Sequence, residues 1–561
     1  MQNKYKIGII IKSLVMNKFE KEVIEKLNSS NLNIDLIAIF EEMPRVSLSQ
    51  ILIRKFKQHG FKRFIELLIF KIIFIIEKFL LSFLYKDLNN LNNNFFVDKG
   101  VFKKIIKVKP TFSKNKIISN YTEDDKNIIL NENLDLIIRG NVYEIFGQNK
   151  LNISRLGVVS FHHGDPSWNR GGPPGFWETV KNKPSSGFII QILNENLDNG
   201  KIIFRGEFAT KEFYTLNLLN LLSESNIYLT YIVEKILINE NIRILKNETK
   251  KEIEILKSPN FYYIFKYIFE KIKTTSKLIY KRFIEKKTQR WEVCYSRDNF
   301  DKFNFNNFKK IKTPKGRYFA DPFILKKDNF FYVFVEDYEK KEKKASISII
   351  KIDSSDKIEI FEKVIEEEFH LSYPYIFEYE KKLYLIPETV SNESLRLYEC
   401  IKFPYKWKYC YDLIQNIKCV DTNIIKIGDI YWLITTRSFN KDFSSQLYIY
   451  YSDSPISQKW KSLDNNPVFF DIENGRNGGI IKLQDKFVRV SQSYGYNYLN
   501  DIQYGHHINI NIIEHLDLKN IKQKFIKTVY PDIWNKEILG IHHMCSTDDF
   551  TVFDRNFYDK Y

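Results

Sequence analysis

The sequence has few cysteines and lacks the patterns of a secreted or nucleic-acid-binding protein. Its 561 residues include five scattered cysteines and no Cys-x-x-Cys pair, the five being Cys294, Cys400, Cys410, Cys419 and Cys545. A disulfide framework or a zinc-cysteine site is therefore not expected, and a reducing compartment is favoured. The first residues read as a strand with no signal-peptide apolar core. We expect a cytoplasmic protein.

The positive charge is spread along the chain. There are 86 Lys and Arg residues against 69 Asp and Glu, a net charge of +17. Such an excess is typical of proteins that meet nucleic acid, anionic membranes or phosphorylated substrates. No dense basic block and no nucleic-acid motif is present, so we expect no nucleic-acid partner. The first strand is not followed by G-x-G-x-x-G, which excludes the usual dinucleotide fingerprint.

Long uninterrupted apolar runs are also missing. Residues 64–85 come nearest, but four charged side chains, from Glu66 to Lys78, interrupt them. A spanning helix would bury those charges at roughly 2.5 to 3.5 kcal/mol for each one near its centre. Residues 261–287 form a second amphipathic stretch, which is rich in lysine. For both stretches we expect packing on the protein or, as the alternative, peripheral contact with an anionic membrane at its inner face.

The first half of the chain shows an α/β pattern. Residues 5–11, 32–40 and 134–140 are short apolar runs typical of buried strands, and residues 18–27 have the pattern of a helix. Together they predict an α/β doubly wound sheet. The length requires more than one core. We predict an α/β domain over residues 1–235 and a basic amphipathic helical connector over residues 236–290.

Residues 157–207 carry the first candidate site. A buried strand ends at His162, a Gly/Pro loop follows at residues 170–175, and Asp198 lies on the turn of a hairpin. Open α/β sheets bind ligands at the carboxyl ends of their strands. A histidine facing a carboxylate can stabilise an oxyanion and accept a proton during acyl transfer to an amine. The simpler alternative is a turn aspartate beside a capping histidine.

The same segment resembles the formyltetrahydrofolate-dependent formyltransferases, whose signature is Asn-x-His, Arg-Gly-x-x-Pro and Leu-Asp-x-Gly. The resemblance implies that His162 and Asp198 are catalytic and that 10-formyltetrahydrofolate is the formyl donor. It further implies a loop beside the active site that contains Arg170, Gly171, Gly172 and Pro174.

Ser160 is the one departure from that signature, because the family has asparagine there. We expect its hydroxyl to assist catalysis as the shorter hydrogen-bond donor, although loss of an oxyanion donor typically costs about 100-fold in rate. In the resembling family the loop after the central strand helps to hold the folate. That loop predicts further cofactor-binding residues at Arg139, Gly140, Asn141 and Tyr143.

From Trp291 onward short strands and turns repeat about every 50 residues. The repeats begin ADPFI at 320, SYPYI at 372, VDTNI at 420, GRNGG at 475 and GIHHM at 540. Four strands in each of five units predict an all-β five-bladed propeller over residues 291–561. We expect the strand around Trp291 to close the last blade.

One polar residue near the start of each repeat is predicted to converge on the propeller axis. These residues, with Glu388 from the second repeat, are Asp321, Tyr373, Glu388, Asp421, Arg476 and His542. This half resembles the propellers of glycoside hydrolase family 43 and, more closely, the propeller-like amino-terminal domain of plant glucosamine inositolphosphorylceramide transferases. In the hydrolases an Asp-Pro aspartate is the general base, which Asp321 matches, while Glu336, Glu388 and Asp421 all remain candidate acids. Adjacent histidines face opposite ways on a strand, so we expect no metal.

Together the two halves predict a formyltransferase-like enzyme of surface glycan biosynthesis. It would transfer a formyl group from 10-formyltetrahydrofolate to an amino sugar, while the propeller recognises the glycan. Two alternatives stay open: a propeller glycosidase, or a glycan-binding protein whose formyltransferase-like domain no longer transfers formyl groups.

Overall fold

The chain folds into two compact units, Met1–Glu270 and Lys271–Tyr561, and the division falls within the predicted connector. The computed structural model describes residues 4–43, 48–113, 118–140, 142, 144–168, 171–194, 200–238, 244–245, 255–534 and 537–560, without the side chains of residues 48–55, 57–59 and 532. The predicted domain boundaries remain predictions.

The first unit alternates strands with helices. Its strands are β1 (Tyr5–Ile11), β2 (Val15–Met16), β3 (Ile34–Glu41), β4 (Phe95–Phe96), β5 (Lys104–Val108), β6 (Thr111–Phe112), β7 (Ile118–Asn120), β8 (Leu136–Arg139), β9 (Ile145–Phe146), β10 (Val158–His162), β11 (Ser185–Ile192) and β12 (Lys201–Ala209). Its helices are α1 (Lys18–Asn28), α2 (Leu48–Ser82), α3 (Glu123–Leu130), α4 (Phe176–Val180), α5 (Tyr214–Leu237) and α6 (Phe261–Ile279), the last of which continues into the second unit.

Seven of these strands form one mixed sheet in the order β12-β11-β10-β8-β1-β3-β5. The five strands from β10 to β5 are parallel, and the β11–β12 hairpin adds two antiparallel strands at one edge. The sequence pattern predicted a parallel doubly wound sheet. The sheet is mixed instead, because the pairings of β10 with β11 and of β11 with β12 are antiparallel. The chain builds outward from β1 to β5 on one side and then returns to β8 and β10 on the other. This reversal creates a switch point between β1 and β8, where open sheets bind ligands.

Both faces of this sheet are covered. Ile10 and its neighbours on one face pack with Ile129 of α3 in an aliphatic core. On the other face α1 packs against α5, and α1 buries Phe19, Val23, Ile24 and Leu27. Apolar strands buried on two sides are typical of parallel sheets, which is why the strands of this unit could be located from the sequence.

The two amphipathic stretches form helices that pack on this unit. α2 consists of two helical segments that meet at Gly60, whose φ of 74° and ψ of 166° are not helical. Phe70 lies edge-on to Phe176 of α4 with 5.1 Å between ring centroids. The Tyr267 hydroxyl of α6 donates a hydrogen bond to Glu77 of α2. In the part of the chain that the structure describes, no helix is both long and apolar enough to cross a membrane.

The second unit is all β. Its strands are β13 (Lys287–Ser296), β14 (Lys309–Lys310), β15 (Arg317–Lys327), β16 (Phe330–Glu339), β17 (Lys344–Ile352), β18 (Ile358–Ile365), β19 (Ser372–Tyr379), β20 (Lys382–Glu388), β21 (Ser394–Lys402), β22 (Lys406–Gln415), β23 (Cys419–Ile427), β24 (Ile430–Arg437), β25 (Gln446–Ser452), β26 (Lys461–Ser462), β27 (Phe469–Phe470), β28 (Asn477–Leu483), β29 (Lys486–Tyr496), β30 (Ile502–Leu516), β31 (Ile521–Val529), β32 (Ile538–Gly540), β33 (Met544–Ser546) and β34 (Thr551–Lys560).

These strands form five antiparallel sheets in the manner of propeller blades. Blades 1 to 4 are β15–β18, β19–β22, β23–β26 with β27, and β28–β31; blade 5 is β14-β13-β34-β32 with β33. Five hydrophobic clusters fill the five interfaces between successive blades, including the interface between blade 5 and blade 1. The ring is therefore closed. β13 pairs with β34 along its whole length, which confirms that the strand around Trp291 closes the last blade.

The first strand of each blade is irregular at its start. In blades 1 to 3 the pairing register shifts by one residue at Asp321, Tyr373 and Asp421, whose φ angles of 50°, 45° and 56° are left-handed. In blade 4 the equivalent irregularity lies between Asn477 and Ile480. The equivalent position is thus Gly478, and the predicted equivalence of Arg476 is wrong by two residues.

Candidate functional site

A cavity of about 570 Å³ lies at the switch point of the mixed sheet. It is bounded by the carboxyl ends of β1, β8 and β10 and by the helices α1 and α5. Of the predicted site residues, seven line it: Arg139, Gly140, Ser160, His162, Gly171, Gly172 and Pro174. Its volume is within the range of small-molecule sites. The structure thus brings together predicted residues from three separate stretches of the chain.

His162 ends β10, where Ser160 lies two residues earlier on the same strand. Ser160 is buried, and its hydroxyl donates a hydrogen bond to the Phe161 carbonyl at 3.1 Å. His163 stacks on Phe161 with ring centroids 4.8 Å apart and lies 3.3 Å from the Ser225 hydroxyl through Nε2. Burial, and then the proximity of His162, lowers the pKa of His163 to about 3. His163 is therefore neutral at physiological pH.

The Gly/Pro loop is held against the rest of the unit by its backbone. The Gly172 amide donates to the Leu256 carbonyl at 3.0 Å, and Trp177 Nε1 donates to the Gly172 carbonyl at 3.2 Å. A Cβ on Gly171 would lie 1.7 Å from the Leu256 carbonyl oxygen. Glycine is required at residue 171 because two backbones touch there. At Gly172 such a Cβ would lie 3.8 Å from Pro174 Cδ, an ordinary van der Waals distance, so a methyl group fits there.

Arg139 and Gly140 shape the cavity at the end of β8. Arg139 donates through Nε to the Val142 carbonyl at 2.9 Å and through an Nη to the Glu144 carbonyl at 3.0 Å. The guanidinium therefore holds the following loop in place. A Cβ on Gly140 would meet the Ile10 carbonyl oxygen at 2.5 Å, so β8 and β1 approach closely at the switch point.

Four predicted residues lie outside the described residues: Asn141, Tyr143, Arg170 and Asp198. Their roles stay predictions. The sequence reasoning missed the contribution of the helices to the cavity. Asn17 caps α1 by accepting from the Glu20 amide at 2.9 Å, while Glu20 accepts from the Asn17 amide at 3.2 Å. The capping-box pattern Asn-x-x-Glu could have revealed this end of the helix, although not that it borders a cavity.

The propeller carries a second, charged cluster around Asp554 of β34. His542 lies between β32 and β33, and its Nδ1 is 2.7 Å from an Asp554 carboxylate oxygen. His542 Nε2 is 3.3 Å from Asp321, and the Asp321 amide donates to Asp554 at 2.9 Å. His542 also stacks on Trp291 at 3.8 Å. His542 and the amide donors around it hold the pKa of Asp554 below its usual range, against the effect of burial.

A second group joins this cluster through Arg476. Arg476 Nε donates to Asp421 at 2.8 Å, and an Nη donates to the Tyr504 hydroxyl at 3.0 Å. Gln492 donates to the same Asp421 carboxylate at 3.0 Å. Burial still raises the pKa of Asp421, and the Arg476 charge opposes that rise. Arg476 thus reaches the predicted cluster, although its backbone is not at the repeat position.

Tyr373 and Glu388 complete the predicted axis set. The Tyr373 amide donates to Asp321 at 3.3 Å, and its hydroxyl donates to Asn423 at 2.7 Å. Burial, and then the charge of Asp421, raises the pKa of Glu388 to about 8. Burial, and then neighbouring carboxylates that include Glu336, raises the pKa of Asp321 well above its usual range. Carboxyl groups held protonated in this way are typical of functional sites, though also of structural ion networks.

Asp321, His542 and Asp554 have ligand atoms within 4.8 Å of one another, close enough to hold a metal ion. The two ring nitrogens of His542 face the carboxyl groups of Asp321 and Asp554.

Sequence reasoning did not assign Asp554, Tyr504 or Gln492 to the site. Asp554 and Gln492 end the second apolar run of their repeats. Glu336 and Glu388 end the same run in the first two repeats, so this place in the repeat could have revealed them.

Comparisons with known proteins agree with the resemblance of the second half. A family model described as glucosamine inositolphosphorylceramide transferase 1, N-terminal, matches residues 303–531. The Arabidopsis thaliana protein of that name is 32% identical over 212 residues, which are 37% of this chain and 27% of the plant protein. The Oryza sativa subsp. japonica protein is 29% identical over 167 residues, 28% of this chain and 22% of its own length. The chain therefore spans about a quarter of these relatives.

Solved glycoside hydrolases are also similar. A family 117 hydrolase of Zobellia galactanivorans is 10% identical with a TM-score of 0.32, covering 48% of this chain and 91% of its own. A thermostable family 43 hydrolase is 14% identical, also with a TM-score of 0.32, covering 43% and 88%. The family match begins at residue 303. The formyltransferase resemblance therefore rests on the motif residues of the first unit.

Proposed function

We propose that this chain is a transferase acting on an amino sugar, in which the first unit moves a formyl group and the propeller holds the glycan. The observation that carries the proposal is the cavity, because Ser160, His162 and the Gly171–Pro174 loop all line it. The plant relatives are named as transferases, and their name contains glucosamine, an amino sugar, and a ceramide lipid. This name supports a sugar substrate for the propeller that matches them.

The residues of the cavity suit a flat donor such as 10-formyltetrahydrofolate. Most of the lining is aliphatic or aromatic, and the polar side chains are few and gathered at strand and helix ends. Gly172 has no side chain and lines the cavity, so a ring could lie against its backbone. Sites with apolar walls and a few convergent polar groups are typical of small-molecule sites.

When bound, the donor supplies a formyl carbon that an amine can attack, forming a C–N bond while the bond to the donor nitrogen breaks. His162 would donate a hydrogen bond to the formyl oxygen as it gains negative charge. Asp198 would accept the proton that the amine loses. The Ser160 hydroxyl points its proton at the Phe161 carbonyl, so it would rotate before assisting His162.

A lipid-linked acceptor would bring this chemistry to a membrane surface. The net charge of +17 suits an anionic surface, and the inner face of the cytoplasmic membrane is the place where folate-dependent and lipid-linked steps could meet. Free, nucleotide-linked and lipid-linked amino sugars all carry an amine that could accept the formyl group.

The test is a transfer assay with 10-formyltetrahydrofolate and a panel of amino sugars, read as N-formylated product by mass spectrometry. We expect His162→Asn to reduce turnover about 100-fold or more, while His163→Asn, its neutral neighbour, changes turnover only a few-fold. Equal turnover in His162→Asn and the unaltered chain would exclude this chemistry.

A glycosidase in the propeller is the second candidate, favoured by Glu388. With its pKa raised to about 8 by burial and Asp421, Glu388 is protonated at neutral pH, as a general acid must be. Asp321, the predicted base, has a raised pKa as well, which counts against that role. Hydrolysis of aryl glycosides that Glu388→Gln and Asp321→Asn abolish, and that His162→Asn leaves intact, would favour the glycosidase.

A further inference from the structure

The helix α2 turns its apolar side chains to solvent and its acids inward. From Leu68 to Leu80 its exposed face is aliphatic and aromatic, consisting of Leu68, Ile72, Ile75, Ile76, Phe79 and Leu80. Lys71 is the one charged side chain exposed among the described residues of this stretch. A surface helix of a globular protein has the opposite pattern, so packing against the described residues does not explain this face.

Two glutamates of α2, Glu66 and Glu77, bond to neighbouring side chains and backbone and so hold the helix in place. Glu77 accepts hydrogen bonds from the Thr215 amide and hydroxyl, each at 2.8 Å, and from the Tyr267 hydroxyl. Glu66 is buried and forms an ion pair with Arg63 at 2.8 Å. Because these polar bonds point inward, the helix cannot turn its apolar face to the core without breaking them.

The neighbouring helix α6 carries a second apolar stripe. Tyr262, Phe265, Phe269 and Ile272 follow one another at intervals of three and four residues, and each is about three-fifths or more exposed, at 66%, 59%, 64% and 61%. Residues spaced in this way lie on one side of a helix. The opposite side contributes the buried Ile264 and Tyr267, so the stripe faces away from the unit.

Lysine side chains are exposed beside the apolar residues of both helices, with Lys71 on α2. Residues 261–287 contain eight Lys and Arg residues and two Glu residues, and Lys266 and Lys273 are exposed beside the stripe of α6. An apolar face with aromatic residues and flanking lysines is typical of helices that lie in the interface of an anionic membrane. Lysines beside an apolar stripe match both parts of such a membrane, its anionic headgroups and its acyl chains.

We propose that the exposed faces of α2 and α6 form a docking surface for an anionic lipid bilayer. The helices would lie in the interfacial plane, with their aromatic and aliphatic side chains among the acyl chains and their lysines at the headgroups. This surface, called here the bilayer surface, consists of Leu68, Ile72, Ile75, Ile76, Phe79, Leu80, Tyr262, Phe265, Phe269 and Ile272. None of these residues lines the cavity, so the inference goes beyond the formyl-transfer proposal and can fail separately from it.

The experiment is flotation of the full chain with vesicles of phosphatidylcholine alone and of phosphatidylcholine mixed with phosphatidylglycerol. We expect binding to the anionic vesicles that weakens as salt is added. Phe79→Glu and Phe269→Glu should each lower the partition coefficient about tenfold or more. The matched control is Phe525→Glu on β31 of the propeller, since Phe525 is 58% exposed, and it should bind like the unaltered chain. Thermal melts establish that each variant is folded.

Three results would overturn the inference. The first is no binding to anionic vesicles by the folded chain. The second is an equal loss of binding in Phe525→Glu and in the α2 and α6 variants. The third is a dimer in light scattering that Phe79→Glu and Phe269→Glu convert to a monomer, without vesicle binding by either form, since the surface would then join two copies of this chain.

Discussion

The two candidate sites differ in how their polar groups are satisfied. The cavity of the first unit has mostly apolar walls and contains His163 in its neutral form. The propeller cluster instead gathers the carboxyl groups of Asp321, Asp421 and Asp554 around Arg476 and His542. Asp421 pairs with Arg476, and Asp554 contacts His542. Burial and neighbouring carboxylates raise the pKa of Asp321 well above its usual range. Under the proposed function, the cavity binds the donor and carries the chemistry, and the propeller holds the glycan.

The largest effect that tests this contrast is on propeller stability. Arg476→Met would leave Asp421 buried without its cation, and we expect a loss of about 3 to 5 kcal/mol in the free energy of unfolding, measured by urea denaturation. Arg297 is the matched control, because it pairs with Asp356 at 2.8 Å near the surface. Arg297→Met should cost about 1 kcal/mol or less. Similar losses in the two variants would show that the cluster is not a paired network.

The pH dependence of stability tests the protonation of the same cluster. The pKa of Glu388 is raised from 4.5 to about 8, so the folded state binds a proton that the unfolded state releases across this range. Stability from this group is full below about pH 4.5 and is lost as the pH rises through about 8, with a slope of at most about 1.4 kcal/mol per pH unit. The raised pKa of His370, which faces Glu336, adds a loss of the same sign.

Glu388→Gln should therefore flatten the stability profile between pH 5 and 8, as read from denaturation midpoints at a series of pH values. An unchanged slope in Glu388→Gln would mean that Glu388 is ionised throughout this range and does not contribute to the pH dependence of stability.

Substitutions at the adjacent Gly171 and Gly172 test how the loop beside the cavity is packed. Gly171→Ala places a Cβ against the Leu256 carbonyl oxygen, 1.7 Å away, and we expect a loss of about 1 to 3 kcal/mol in stability together with weaker donor binding. Gly172→Ala has 3.8 Å of room and should keep its stability within about 0.5 kcal/mol. Thermal unfolding of both variants is the measurement, and equal melting temperatures would contradict the backbone contact at Gly171.

The smallest effect concerns the helix that borders the cavity. Asn17→Ala removes the side chain that caps α1 and should cost about 1 kcal/mol, measured by chemical denaturation. Ser29→Ala at the other end of α1 is the control, since its exposed hydroxyl bonds only to carbonyls of the last turn. A cost at Asn17 no larger than at Ser29 would mean that the cap does not hold this helix in place.

The sequence predicted the parts of the fold that local patterns determine. Apolar runs located β1, β3 and β8 within two residues, whereas β5 at the edge of the same sheet was not predicted. The repeat starting at Asp321 predicted five blades of four strands. The register of the fourth repeat could not be read in this way. Arg476 aligned with the other polar residues, whereas the backbone irregularity needed Gly478 and Gly479. A side chain's type is visible in a sequence, but the φ angle of its backbone is not.

The candidate sites were predictable only in part for a similar reason. Ser160 and His162 lie in one motif, so their closeness followed from the strand between them. Asp554 reaches His542 from β34, 12 residues further along the chain, and Tyr504 reaches it from β30 of blade 4. Spacing in the sequence does not show that these side chains meet. The inward direction of Glu77 could not be predicted either, because it depends on Thr215 and Tyr267, and both lie more than 130 residues away.

Donor binding is the measurement that tests the central claim most directly. We would titrate the purified chain with 5-formyltetrahydrofolate, a stable analogue of the donor, by calorimetry. The account predicts saturable binding that Gly171→Ala weakens and that Asp421→Asn in the propeller leaves unchanged. Absence of binding to the folded chain, or binding that Asp421→Asn abolishes while Gly171→Ala retains it, would contradict the assignment of the chemistry to the cavity.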